Sequence, residues 1–313
     1  ELPEAERKHM ITQLEALLRQ SLETRAFLPT PMRRMNRFQY NNAVVDLLEL
    51  DRPIFRLNER LMRRRQDYFK PETRKMPAQV RVSSRPLSKD IDNQRPEGFK
   101  GVASFPQDQR AEHGFDNRAD HLTLSPLLME SFLKLSQTIS ASQDLNAKEC
   151  RSWGWLFAPP GKQADPKNDA GAAEASAIRS RLRKLLRRAF RRAADPATVE
   201  RFAKFTEAQV TGGASFEKAM RTVVGAIIGM PDFLYFYETP EKENPGQENK
   251  GRQGISDFEL ASRLALFFWS SIPDDTLLEL AEAGKLSDPK TLSTQIDRML
   301  NDRRTGRFCD NFP

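Results

Sequence analysis

The 313-residue chain is poor in cysteine, histidine and tryptophan, with two, three and three of each. Cys150 and Cys309 lie far apart and form no CxxC, CxxCH or zinc spacing, so covalent haem attachment within these residues is excluded. A single bridge and two inert buried thiols both fit the count. Long apolar runs are missing too. The longest, Val223 to Tyr237, is interrupted by Gly225, Gly229 and Pro231-Asp232, too short and broken to span a bilayer. There is no GxSxG elbow, no cysteine with a nearby histidine, and no Walker or GxGxxG loop, which removes the common hydrolase and nucleotide-binding signatures. Strand-like alternation never runs long enough to build a sheet, and no repeat of 20 to 50 residues is evident. With only 15 glycines among many capped periodic segments, wholesale disorder is excluded as well. The chain opens without methionine or a leader and stops at "RRTGRFCDNFP", so it is expected to be a piece of a longer protein.

What is present is helix. Residues are 38% hydrophobic and 30% charged, with a net charge of +7. The predicted fold is mainly α, several small helical modules packed in series, with a long irregular excursion in the first. Pro3, Glu4 and Glu6 start a helix whose stripe is Met10, Leu14, Leu17, Leu18 and Leu22, ending near Phe27. A module over 31–157 follows. It opens on "PMRRMNRFQYNN", where Asn36 and Gln39 form a capping box and Met35 and Tyr40 a hydrophobic staple, ahead of Val44, Leu47 and Leu48. Residues 56–105 read as an irregular insertion, and Ser125-Pro126 as the start of the helix carrying Phe132, Leu135 and Ile139. Composition makes 158–175 a linker. In the second module, 176–238, Asp195-Pro196 and Ser215 cap helices, and Phe216 to Ile228 has the spacing of a core helix. After a second linker, 239–254, the third module spans 255–313. Ser256, Asp274 and Asp288 start its helices, with Gly284 as a stop.

Three groups of residues are candidates for chemistry. His113, Asp116, Asp120 and His121 gather in "HGFDNRADH", where nitrogen and oxygen donors can hold a divalent metal or a His-Asp pair can move protons; Asp and Asn in such turns also bond their own backbone. His9 is expected to be a surface residue. Residues 179–192, "RSRLRKLLRRAFRR", carry eight basic side chains interleaved with an apolar stripe, Arg183, Arg187, Arg188, Arg191 and Arg192 among them. Such a helix suits a polyanion or an acidic partner, or else a solvated face ion-paired to neighbouring helices. Arg33, Arg34 and Arg37 crowd a helix N-terminus, where cations are unfavourable. At least one of them is expected to reach a carboxylate on another element, with Asp116 and Asp120 favoured.

Several stretches together resemble a known family. "MRRMNRFQYNNAVVDLLELD", "FPQDQRAEHGFDNRADHLTLSPLLMESFL", "RRAFRRAADPATVERF", "SFEKAMRTVVGAIIGMPDFLYFYE" and the run from "DFELASRLALFFWSSIPDD" to the end are similar to successive modules of large planctomycete secreted proteins built from PSD-type domains of unknown function. In that family the modules commonly follow a c-type cytochrome domain, and residues 1–27 look like its last helix. The resemblance implies an extracytoplasmic location and haem c on an upstream domain. The implied partners are that cytochrome and further downstream modules. An acidic glycan or protein is a further candidate partner, and nucleic acid is disfavoured by secretion. The resemblance assigns no catalytic residue. The expected role is a non-catalytic scaffold supporting electron transfer; the alternatives are a polysaccharide-active enzyme using the His113 to His121 loop and a basic polyanion-binding module.

Overall fold

The computed structural model describes residues 3–24, 32–57, 96–108, 122, 125–160, 170–236 and 255–311. Among them are twelve α-helices and one pair of two-residue strands, so the fold is mainly α. The chain divides into a unit of residues 1–31 with 238–255 and a unit of residues 32–237 with 256–313. In the first, α1 (Glu4–Thr24) has its acidic residues at the N-terminus, where the dipole favours them. His9 is exposed and lies 3.0 Å from Gln13, one turn on. Met10, Ile11, Leu14 and Leu17 of the same helix are about half exposed.

The second unit runs β1 (Arg33–Arg34), α2 (Arg37–Leu48), α3 (Pro126–Ala141), α4 (Trp153–Leu156), α5 (Ala170–Phe190), α6 (Pro196–Thr211), α7 (Phe216–Gly229), α8 (Pro231–Leu234) and β2 (Tyr235–Phe236). It continues through α9 (Asp257–Trp269), α10 (Asp275–Glu282), α11 (Pro289–Leu300), a 3-10 turn at Arg303–Thr305 and α12 (Gly306–Asn311). The starts are set locally. Asn36 accepts from the Gln39 N–H at 2.8 Å while the Gln39 side chain accepts from the Asn36 N–H at 3.2 Å, the complete capping box. Ser125, Asp195, Ser215, Ser256, Asp274 and Asp288 each accept from the N–H three residues on. Pro126, Pro196 and Pro289 follow three of them at the first helical position, where the missing N–H costs nothing. Gly284 takes φ +63° just past α10, as a helix stop requires.

Two cores result. The larger gathers α2, α3 and α5 to α8, so the segments on either side of residues 158–175 share one interior. Its centre is Tyr40, whose ring lies 5.9 Å from Phe105, 5.7 Å from Phe132 and 5.8 Å from Phe233, three residues from three other segments. The phenol donates to the Ile228 carbonyl at 3.3 Å, and burial pushes its pKa well above the usual tyrosine value. Helices α3 and α7 cross closely because small residues face each other. A Cβ built on Gly225 would sit 2.7 Å from Ser140 Oγ, and one on Gly229 2.9 Å from Ser136 Oγ. The smaller core consists of Ala261, Ala265, Trp269, Leu277, Ala281, Leu286 and Met299.

Two expectations change, and one pairing is new. The end of the 56–105 stretch is not an excursion: Phe99 and Phe105 are buried in the larger core, and the Phe99 N–H donates to Ile54 O at 2.9 Å. Gly98 permits this, since a Cβ there would fall 2.4 Å from Phe55 Cα. Helix α5 begins at Ala170, inside the stretch whose composition reads as linker, because alanine-rich "AGAAEASA" propagates a helix without needing a packed face. Arg33 and Arg34, just ahead of the α2 cap, also pair antiparallel with Phe236 and Tyr235, a bridge between residues some 200 positions apart that no local pattern signals.

Candidate functional site

The arginines singled out by sequence are held mostly within the fold. Arg34 is buried, and its Nη2 lies 2.5 Å from Asp108 Oδ1 in an ion pair that is almost fully enclosed. Its guanidinium carbon stands 5.7 Å from the Phe105 ring and 5.9 Å from Phe132, and Nη1 donates to Met35 O at 3.0 Å. Asp108 also accepts from the Arg37 N–H at 3.1 Å, so one carboxylate holds the arginine and offsets the α2 dipole. Arg37 donates through its side chain to Ser104. Arg33 stacks over Phe236 at 5.4 Å. At least one of the three thus reaches a carboxylate on another element. For Arg34 that carboxylate is Asp108, 74 residues away, which stands in one of the stretches that carry the family resemblance but which no local pattern marks as a partner. His113, Asp116, Asp120 and His121 lie outside the described residues.

The basic helix α5 behaves similarly. Arg187 pairs with Glu282 at 2.9 Å and with Asp275 and Glu279 at 3.7 Å. Arg188 pairs with Glu49 at 2.8 Å and Asp275 at 3.2 Å, and Lys184 reaches Asp275 at 3.5 Å while standing 4.8 Å over Trp155. These pairs join the larger core to α10. Arg179 spans Glu200 and Glu207 of α6, whose hydrogen bonds hold it charged well above the ordinary arginine pKa. Arg192 meets Asp232 at 2.5 Å. Arg183 is exposed and forms no ion pair among the described residues.

Arg191 turns inward to backbone carbonyls. It is buried, adopts φ +56° at the end of α5, and donates to the carbonyls of Ala189, Phe233, Asp232 and Tyr235 at 2.7 to 3.0 Å. Its planar fork also lies 4.6 Å over Phe236. The result fixes the α8–β2 turn against the C-terminus of α5. Arg221, which sequence reading missed, does the same for α3. It donates to the carbonyls of Ser140, Ser142 and Leu145, groups a helix end leaves unpaired. The only signal available was an arginine within an otherwise apolar run, and that does not name its partner.

In the C-terminal core, Arg304 lies 3.5 Å over the face of Trp269, and Arg298 5.7 Å from it. Both reach Asp274, Arg298 with two bonds of 2.7 and 3.1 Å and Arg304 at 3.2 Å. Burial raises the Asp274 carboxyl pKa, but these arginines and the Leu277 N–H outweigh burial and hold it below the usual value. Asp302 is likewise held low against burial by Arg304. Asp46 of α2 takes Arg307 at 2.6 and 2.8 Å and the Ser271 hydroxyl at 2.6 Å. Cys150 is buried with its Sγ 3.0 Å from Leu48 O, and burial pushes its thiol up, opposite to an activated nucleophile. Among the described residues no cluster of three or more His, Cys, Asp or Glu can hold a metal, and no helix is long and apolar enough to cross a membrane.

The folded pieces coincide with segments shared by other proteins. Residues 97–143 match the family PSD3, a protein of unknown function (DUF1587); residues 177–238 match PSD5 (DUF1595). Residues 255–313 match PSD4, a protein of unknown function (DUF1592). The chain carries three PSD-type domains. The PSD3 and PSD5 segments supply helices to the one larger core, whereas the PSD4 segment builds most of the smaller one. No curated protein and no solved structure gives a significant match.

Proposed function

We propose that this chain is a non-catalytic interaction and scaffold region of an extracytoplasmic protein that also carries a c-type cytochrome domain, and that it supports electron transfer by positioning that domain. The observation that carries the scaffold role is the use of arginine. Arg34, Arg187, Arg188, Arg191, Arg192 and Arg221 are spent on carboxylates and carbonyls of this same chain, which makes a rigid frame of the helices. The cytochrome link rests on the resemblance of residues 1–27 to the last helix of such a domain. The apolar stripe of α1, about half exposed at Met10, Leu14 and Leu17, suits packing against a neighbour. The chain's own residues do not fit covalent haem, having no CxxCH and a buried Cys150, and on this reading the haem is carried by the cytochrome domain that the resemblance implies.

Partners under this reading are the upstream cytochrome and downstream modules, with an acidic protein or glycan as a further one. The test is a pyridine haemochrome spectrum of the full-length protein isolated from its native host, together with its release by osmotic shock. A c-type spectrum in the released fraction is expected. Full-length protein without covalent haem overturns the electron-transfer role, and retention inside spheroplasts overturns the location.

A further inference from the structure

A cavity of about 310 Å³ opens between α2, the segment after it and the 3-10 turn at Arg303–Thr305. That volume is at the lower end of the roughly 300–1,000 Å³ of small-molecule sites. Its apolar wall is Phe38, Val45, Phe55 and Leu57. Two buried amides, Asn41 and Asn42, share the lining. Asn41 Oδ1 accepts from the Ile54 N–H at 3.0 Å, Asn41 Nδ2 donates to Asn42 Oδ1 at 3.5 Å, and Asn42 Nδ2 donates to Ser270 O at 3.2 Å. Each amide nitrogen carries two hydrogens, so one donor on each is unspent among the described residues.

The charges at the mouth are uneven. Arg307 is neutralised by Asp46, Arg304 by Asp274 and Asp302, and Arg52 by Asp144 and Glu149. Asp51 has Arg151 at 3.6 Å. Arg303 is exposed and meets no carboxylate among the described residues. One uncompensated cation, spare amide donors and an aromatic wall select for a single negative charge on a flat apolar body.

We propose that this pocket binds a small amphipathic monoanion, an aromatic or short-chain carboxylic acid, with its carboxylate at Arg303 and its apolar part against Phe38 and Phe55. The site is separate from the scaffold role and independent of haem. Calorimetric titration of the 313-residue chain with 2-naphthoate, and with neutral 2-naphthamide as its uncharged counterpart, tests it. One saturable 2-naphthoate per chain is expected, with the amide about tenfold weaker, the loss typical of one charge-assisted bond. Arg303→Gln, at an exposed position, is expected to erase the preference for the anion, and Val45→Trp to fill the cavity and abolish both. Absence of saturable binding to the unmodified chain overturns the proposal. So do equal affinities for the two probes, or 2-naphthoate binding that Arg303→Gln leaves unchanged.

Discussion

Arginine works differently in the two cores. In the larger one, Arg34, Arg191 and Arg221 reach inward to a buried carboxylate and to backbone carbonyls, tying loops and helix ends to an interior already filled by aromatic rings. In the smaller one, Arg298 and Arg304 roof a single tryptophan and answer to Asp274. Size explains the difference. Three of the six buried residues around Trp269 are alanines, so the small core buries little apolar area, and cation–π and ion-pair contacts make up the shell. The larger core can hold itself by packing and uses arginine to fix where its connections go.

The comparison breaks most sharply at Trp269. Trp269→Ala is expected to cost about 4 kcal/mol, because it removes the centre of the smaller core and the face beneath Arg304. Hydrogen exchange should then show lost protection in α9 to α11 while α7 stays protected; uniform loss in both would mean the two cores unfold as one. Next in size is Asp108→Ala, which takes the enclosed carboxylate away from the buried Arg34 and is expected to cost about 3 kcal/mol by denaturant titration. Replacing both partners, as Arg34→Met with Asp108→Leu, should recover most of that loss.

Acid separates the cores by a smaller amount. Asp274 and Asp302 have folded pKa values below their unfolded ones. Their contribution is therefore fully present above the unfolded value of about 3.9 and is lost as pH falls through the folded values. With Trp153 and Trp155 replaced by phenylalanine, Trp269 fluorescence should report this transition below about pH 4, and Asp274→Asn should flatten it. Least is expected of Arg187→Ala. It removes partly exposed pairs to Asp275, Glu279 and Glu282 and should cost no more than about 1 kcal/mol, an amount that added salt diminishes.

The sequence made the helices legible and left their partners hidden. Asn36 with Gln39, Ser125 with Pro126, Asp195 with Pro196, and the Phe216 to Ile228 stripe all stand in the chain as they stand in the fold. The basic run of α5 was equally plain, yet as sequence it fitted a polyanion surface as well as an ion-paired face. Residues 96–105, poor in periodicity, read as loop, although Phe99 and Phe105 are core; a single aromatic carries no repeat to betray its burial.

By itself, then, the sequence determined where helices begin and end, because a cap acts over three residues and an apolar stripe over one or two turns. Only the tertiary structure decided what the arginines do. Arg34 meets Asp108 across 74 positions, Arg188 meets Glu49 across 139, and Arg307 meets Asp46 across 261. Charge has no period along a chain, and its partner is selected by which helices the apolar faces bring together.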